Sequence, residues 1–346
     1  MSKHYQRPID FKHGRVEMTH GAGGRASAQL IETLFAKYFH NDYLGQGDDG
    51  ALVPSPSERI VIATDSHVVS PLFFPGGDIG ALAVHGTVND VAVCGATPLY
   101  LSAGFILEEG FPLSELEKIV ASMARAAQQA NVTIVTGDTK VVEKGKADGV
   151  FINTTGVGIV PKGIHLSGKF CKPGDAIILS GYIGEHGVAV MSKRQNLEFD
   201  TTVKSDSASL NSLTDALVRS IPTLRCMRDP TRGGLGTTLN ELASQSGVGM
   251  RIFEEKIPIS EAVESACEFL GLDPLYVANE GKLIAICGKE DAPRLLEIMK
   301  AHPLGSHAEI IGHCVEDENH FVEMKTAFGG SRMIDWLSGE QLPRIC

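Results

Sequence analysis

Two periods of hydrophobicity divide this chain into elements. Apolar residues recur at helical spacing from Ala26 to Phe39 and from the candidate cap Ser114 to Ala130, and Ile79 to Gly95 reads as a helix whose end Gly95 and Pro98 mark. Between them the β-branched runs RIVIATDSHVV, LYLSAGFIL, TIVTGDTKVV and GVFINTTGVGIVP predict strands. The first ends near Asp65, and the third is a buried strand that runs into a polar loop. After KPGD, a linker turn, the pattern restarts. AIILSGYIG predicts a strand, EHGVAVMSKR and Leu210 to Ser220 predict helices, and RDPTRGGLGTTLNELASQSG is a glycine turn opening another helix. MRIFEEKIPI, the SEAVESACEFLG helix, YVANEGKLIAICG, the APRLLEIMKAH helix and the strands AEIIGHCVE and FVEMK complete the second half. Strands and helices mix without strict βαβ alternation, which predicts two α+β domains rather than a doubly wound sheet.

Composition agrees with two cores. At 346 residues and 43% hydrophobic content the chain can bury two ordinary domains. No apolar run reaches the length of a membrane span, and MSKHYQRPIDFKHGRVE lacks the apolar core of a signal peptide, so the expectation is a cytoplasmic protein that does not engage a membrane. The seven cysteines, an odd number without a CxxC pair, argue against a disulfide framework or a cysteine zinc site and fit reduced thiols. A net charge of -11 argues against non-specific nucleic-acid binding. It also suggests that an anionic substrate arrives neutralised by metal or by local basic groups.

The candidate chemistry begins at the end of the chain. Cys346 as the final residue puts a thiol where ordering is weakest and reach is greatest; the competing reading is an exposed thiol without a role. Its own α-carboxylate disfavours ionisation, which Arg344 partly offsets. Asp49 in GDDGA, Asp65 in ATDS, Asp90 in NDVA and Asp138 in TGDTK sit at predicted junctions, where hard oxygen ligands suit Mg²⁺ bridging to nucleotide phosphates. Taken singly, each reads equally as a turn residue or helix cap. Gly21, Gly23 and Gly24 precede a helix start, where backbone N–H groups suit phosphate, or they form a flexible connector. Lys140 is a phosphate ligand, a tuned acid/base or a solvated lysine. Glu280, beside Gly281, is held close to a ligand or lies in a surface turn. Arg228 and Arg232 are candidate phosphate donors, while His85 and His186 read as packing or solvated residues.

Taken in order, HGAGG, GDDGA, TDS, LFFPGGDIG, NDVAVCGA, GFILEEG, VTGDTKVV, RDPTRGG, ANEGK and the terminal PRIC resemble the HypE family of hydrogenase-maturation carbamoyl dehydratases, within the aminoimidazole ribonucleotide synthetase-like superfamily. The likeness runs from about Met18 to Cys346. The aspartate motifs are shared with thiamine-phosphate kinase and selenophosphate synthetase; PRIC, with TGDTKVV and ANEGK, selects this family.

The resemblance implies a two-domain α+β fold of mixed sheets with helices packed on one face of each. An arm over 1–17, free to be disordered, precedes an ATP-binding and dimerisation domain over 18–165. A C-terminal α+β domain over 166–330 and a flexible tail over 331–346 follow. It implies that Cys346 receives a carbamoyl group from the carbamoyltransferase HypF. ATP then drives its dehydration to a thiocyanate, and the cyano group passes to iron on the HypC-HypD scaffold. By the same resemblance Asp49, Asp65, Asp90 and Asp138 bind Mg²⁺-ATP, with Asn89, Gly21, Gly23 and Gly24 supporting the phosphates. Lys140 and Glu280 position and deprotonate the carboxamide nitrogen, and the protein is a homodimer through its first domains. The alternatives are a small-molecule kinase or synthetase of the same superfamily, and a nucleotide-sensing adaptor whose tail docks a partner.

Overall fold

The structure is a computed structural model that describes residues 8–21, 25–43, 59–194, 203–337 and 344–346. Gly23, Gly24 and Asp49 lie outside the described residues.

In the first half, α1 (Arg25–Leu30) and α2 (Ala36–Phe39) flank a wider helical turn over Ile31–Phe35. Then come β1 (Ile60–His67), the hairpin of β2 (Phe73–Phe74) and β3 (Gly77–Asp78), α3 (Ile79–Val93), β4 (Thr97–Glu108), α4 (Leu113–Gln129), β5 (Thr133–Val142) and β6 (Val150–Ile159). The second half contains β7 (Ala176–Leu179), α5 (Glu185–Arg194), α6 (Asn211–Ser220), β8 (Leu224–Arg228), α7 (Gly234–Ser246), β9 (Gly249–Phe253) and α8 (Glu261–Leu270). It ends with β10 (Ile284–Cys287), α9 (Ala292–Ala301), β11 (Glu309–Val315), β12 (Val322–Lys325) and β13 (Ser331–Ile334).

The first sheet has the order β1-β6-β4-β5 and is antiparallel except between β4 and β5, which α4 joins in parallel. Along β1 the side chains alternate: Val61, Ala63, Asp65 and His67 turn inward toward α3, while Ile60 and Ile62 are exposed on the other face. The strand therefore continues two residues past its expected end at Asp65. β5 pairs only with β4, so it is an edge strand with Gly137, Asp138 and Lys140 exposed, not the buried strand its β-branched run suggested. α3 starts cleanly because the Asp78 carboxylate accepts from the N–H groups of Gly80 and Ala81, at 2.8 and 3.2 Å. It is buried almost all round, against the sheet through Val84 and Val88 and in the core of the second domain through Val93, and so carries Asn89 and Asp90 between the domains. α4 begins behind Pro112 without a side-chain cap, so Ser114 lies inside the first turn.

The second sheet has the order β13-β12-β9-β11-β7-β10-β8. Helices cover both of its faces. On β7, Ile177 and Leu179 join Leu235, Leu239 and Leu242 of α7 in one core, while Ala176 and Ile178 join α6 and α9 in another. The one-face expectation holds for the first sheet and is corrected for the second, because a strand apolar at every position buries both sides.

Two other boundaries change. From residue 8 the arm lies on the first domain: Val16 is buried, its N–H donates to Phe111 O at 2.7 Å, and its carbonyl accepts from the Gly110 N–H at 2.7 Å. The tail is held at both described ends, since Ser331–Ile334 completes the second sheet as β13 and Arg344–Cys346 is docked between the domains.

Candidate active site

The end of the chain lies along the segment after β1. The Val68 N–H donates to Cys346 O and the Ser70 N–H to Arg344 O, each at 3.1 Å, while Arg344 Nε donates to Val68 O, also at 3.1 Å. Ile345, 2% exposed, enters the core that α3, α5 and α8 share. Arg344 has a φ of 54°, in the left-handed region. The Cys346 sulfur then meets Arg232, whose Nη2–H donates to it at 3.2 Å.

Carboxylates surround this pair. Burial, and then Glu280, push the Cys346 thiol up to about 12 against the opposing pull of Arg232, so the free tail carries a protonated thiol. Glu280 is buried with no hydrogen-bond partner for its Oε1. Burial and the nearby Asp206, Asp229, Asp65 and Asp90 hold its carboxyl well above the usual range. Asp90 is raised to about 8 by burial, Asp229 and Asp65; Asp229 is raised to about 6, chiefly by burial. His67, 1% exposed, has no hydrogen-bond partner at either ring nitrogen, and its Nε2 is 3.5 Å from Asp65. A cleft of about 590 Å³ opens beside these groups, lined by Asp90, Cys94, Arg228, Asp229, Thr231 and Arg232.

Backbone contacts assemble the site from four loops. Asn279 Oδ1 accepts from the Gly184 N–H at 2.7 Å and its Nδ2 donates to Pro230 O at 2.8 Å, tying ANEGK to RDPTRGG. The Asp206 carboxylate accepts from the N–H groups of Glu280 and Gly281, at 3.1 Å each. A side chain at Gly281 would meet Asp206 O at 1.8 Å, which is why that position is glycine. Asn89, expected beside phosphates, is buried, and its amide braces this framework. Its Nδ2 donates to Ala208 O and Glu280 O, at 3.0 and 3.4 Å, and its Oδ1 accepts from the Leu210 N–H at 2.7 Å.

The structure thus brings Cys346, Glu280, Asp65 and Asp90 together and leaves Asp138 and Lys140 apart. Across the first sheet Asp65 lies level with Thr154, Ala103 and Gly137, three strand spacings from β5, roughly 14 Å. Asp138 belongs to the next row, with Gly104, Asn153 and Ser66, whose side chains face away from α3. Lys140 Nζ is 3.3 Å from Asp138, and both side chains are about two-thirds exposed, at 66% and 67%. They border an apolar pocket of about 270 Å³ lined by Phe35, Phe39, Phe105 and Ile134, with His20, the neighbour of Gly21, at its rim. Asp229 and His67 were missed as candidates, though each had a signal. Asp229 lies in the same motif as Arg232, and strand alternation puts His67 on the face of Asp65.

The arrangement offers a cation beside a neutral thiol, and acids that resist ionisation chiefly because they are buried and then because they repel one another. Among the described residues no three metal-ligating side chains converge closely enough to hold an ion by themselves. No helix among them is long and apolar enough to cross a membrane.

Known proteins resemble this chain along both halves. The chain matches the family descriptions "AIR synthase related protein, N-terminal domain" over residues 47–160 and "AIR synthase related protein, C-terminal domain" over residues 172–325. It is 65% identical to the carbamoyl dehydratase HypE of Azotobacter vinelandii over 338 residues, 98% of this chain and 99% of that one. A crystal structure of the hydrogenase maturation protein HypE in complex with ATP superposes with a TM-score of 0.92 at 50% identity, covering 95% of this chain and 99% of that one. The crystal structure of a HypE-HypF complex matches with a TM-score of 0.79 at 51% identity, over 89% of this chain and 99% of that one. With both domain families matched along the sequence and the terminal thiol brought to the buried acids, this chain belongs to the HypE carbamoyl dehydratase family.

Proposed function

We propose that this chain is an ATP-dependent carbamoyl dehydratase of hydrogenase maturation whose substrate is a carbamoyl group carried on its own Cys346. The observation that carries this reading is the position of the terminal sulfur, 3.2 Å from Arg232 and near Glu280 and Asp65, with Asp90 and Asp229 close to Glu280 in turn.

Dehydration of a carboxamide is difficult because hydroxide is a poor leaving group. The carbamoyl oxygen of the thiocarbamate attacks the γ-phosphorus of ATP and releases ADP, which turns that oxygen into a good leaving group. Loss of phosphate with the nitrogen's protons then leaves S–C≡N. Glu280, once ionised, is the base for the nitrogen: a carboxylate whose basicity is raised by burial accepts a proton more readily than an ordinary one. Arg232, already on the sulfur, is placed to stabilise negative charge as the oxygen is phosphorylated. Asp65 and Asp90 are oxygen donors that fit Mg²⁺ shared with ATP phosphates, because a divalent cation offsets the burial and the neighbouring carboxylates that together raise Asp90 to about 8. Bound there, the metal would neutralise phosphate charge.

Asp138 and Lys140 join the ATP site through a homodimer. Among the described residues the first sheet leaves one face open, with Ile62 64% and Ile60 52% exposed. A second copy on that face places the Asp138–Lys140 pair at the interface. The carbamoyl donor is the transferase HypF and the cyano acceptor is the HypC-HypD scaffold, in a cytoplasmic setting that keeps the thiol reduced. The test is the intact mass of the C-terminal peptide after incubation with the transferase and carbamoyl phosphate, then with ATP. The expected result is gain of a carbamoyl group followed by loss of one water. Equal loading of Cys346→Ala, or ATP turnover undiminished on deletion of Arg344 to Cys346, removes the proposal.

A further inference from the structure

While docked, Cys346 is only half-exposed and its sulfur is held by Arg232; loading by another protein therefore calls for the end of the chain to swing out, and reaction for it to return. The contacts that hold it there are made by groups outside the reacting cluster. Arg194, the last residue of α5, uses its guanidinium as a fork: Nη2 donates to Arg344 O at 2.7 Å, and Nε and Nη2 donate to Ser70 O at 2.7 and 2.5 Å. One side chain of the second domain thereby ties the tail to the first domain. On the same helix, His186 Nε2 is 2.8 Å from Ile345 O, and its Nδ1 is 2.8 Å from Ser205 Oγ. A carbonyl only accepts, so the proton sits on Nε2 and the Ser205 hydroxyl donates to Nδ1. The Arg344 side chain pairs with Asp148, in the loop between β5 and β6, and lies 6.0 Å from the ring of Phe151.

We propose that Arg194, His186 and Asp148 form a latch that grips the backbone of the last residues and the Arg344 side chain and holds the tail inward, positioning the group on Cys346 for dehydration. None of the three touches the sulfur, so they are positioning residues. Because Arg194 and His186 bind carbonyl groups, they do not sense what Cys346 carries. The latch therefore accepts the tail loaded or empty, and its strength divides the tail's time between the loading and reacting positions. The role in dehydration rests on the function proposed above; the holding itself does not.

The test is the alkylation rate of Cys346 by iodoacetamide in the native, unloaded protein, with the exposed Cys94 as reference in the same digest. Arg194→Gln and Asp148→Asn are expected to raise the Cys346 rate relative to Cys94 roughly tenfold, and Arg194→Lys by less, because it keeps the charge and loses the fork. Asp148 is a surface residue, 58% exposed, so its variant keeps the test valid if Arg194→Gln folds poorly. With a preloaded tail, both variants should lower the kcat of ATP-dependent conversion while leaving the KM for ATP and the rate of carbamoyl loading unreduced. An unchanged Cys346 rate in Asp148→Asn and Arg194→Lys overturns the latch, as does a fall in conversion accompanied by a matching fall in loading. Alkylation needs neither ATP nor a transferase. Failure of the latch is thus distinct from failure of the dehydratase reading, which would appear as an unaltered chain that never loads.

Discussion

Arg232 donates a hydrogen bond to the sulfur of Cys346 at 3.2 Å, so the group touching the terminal thiol is cationic although carboxylates enclose both. The two residues are far apart in sequence and belong to different elements, and their meeting defines the site. A guanidinium there does not make the free thiol a strong nucleophile, since burial still pushes it up to about 12. Its value lies in meeting negative charge later in the reaction.

Arg232→Gln should therefore slow conversion of a preloaded thiocarbamate by about a hundredfold, the usual cost of losing one such donor. Loading of Cys346 outside the site should be spared. Single-turnover ADP formation on a preloaded tail measures the first and intact mass the second; full-speed ADP formation removes Arg232 from the reaction.

Glu280→Gln keeps the shape of the side chain and removes its charge. If Glu280 accepts the proton from nitrogen, the tail should load and then persist as carbamoyl in the presence of ATP, with conversion down by about 10²–10⁴-fold. A carboxyl whose folded pKa is raised costs stability above its unfolded pKa, so the same variant should melt higher at neutral pH. Thermal unfolding and C-terminal peptide mass check the two halves independently.

Histidine burial gives a pH signature of opposite sign. Burial lowers His85 from 6.5 to about 4, and its Nδ1 lies 2.9 Å from Ser207 Oγ. Between those pH values the folded state binds fewer protons than the unfolded one. The stabilisation is complete above about 6.5 and is lost as pH falls toward 4, roughly 3 kcal/mol in all. Asp90, raised to about 8, works in the other direction, so the informative quantity is a difference. The stability gap between the unaltered chain and His85→Asn should shrink by that amount from pH 7 to pH 4 in urea titrations; a constant gap contradicts the assignment.

On the open face of the first sheet, Ile62→Glu places a charge where a second copy would bury an isoleucine. The expected outcome is a monomer by light scattering with an unchanged circular dichroism spectrum. A variant that stays dimeric moves the interface elsewhere.

Much of this molecule could be read from local pattern. Leu113 to Gln129 forms a helix because its apolar residues return with helical period, Ile79 to Val93 is apolar nearly all round and is bounded by its Asp78 cap and Gly95, and the glycines and prolines between elements mark the breaks. The chemistry of the ending and of ANEGK also rests on residue type at fixed spacing, which a sequence displays directly. Tertiary structure decided which of these residues meet. Asp65 and Asp138 occupy similar-looking strands, yet sheet order puts β1 and β5 at opposite edges and pleating turns the two carboxylates to opposite faces. Asn89 reads as a ligand beside Asp90 and becomes a brace because one turn of α3 faces the loop at Ala208. The tail, expected loose, is docked because two domains together supply a buried seat for Ile345 and donors for its backbone, and neither domain does so alone. Local spacing sets the period of each element. Long-range pairing and burial set the distances between them, and the site is made of those distances.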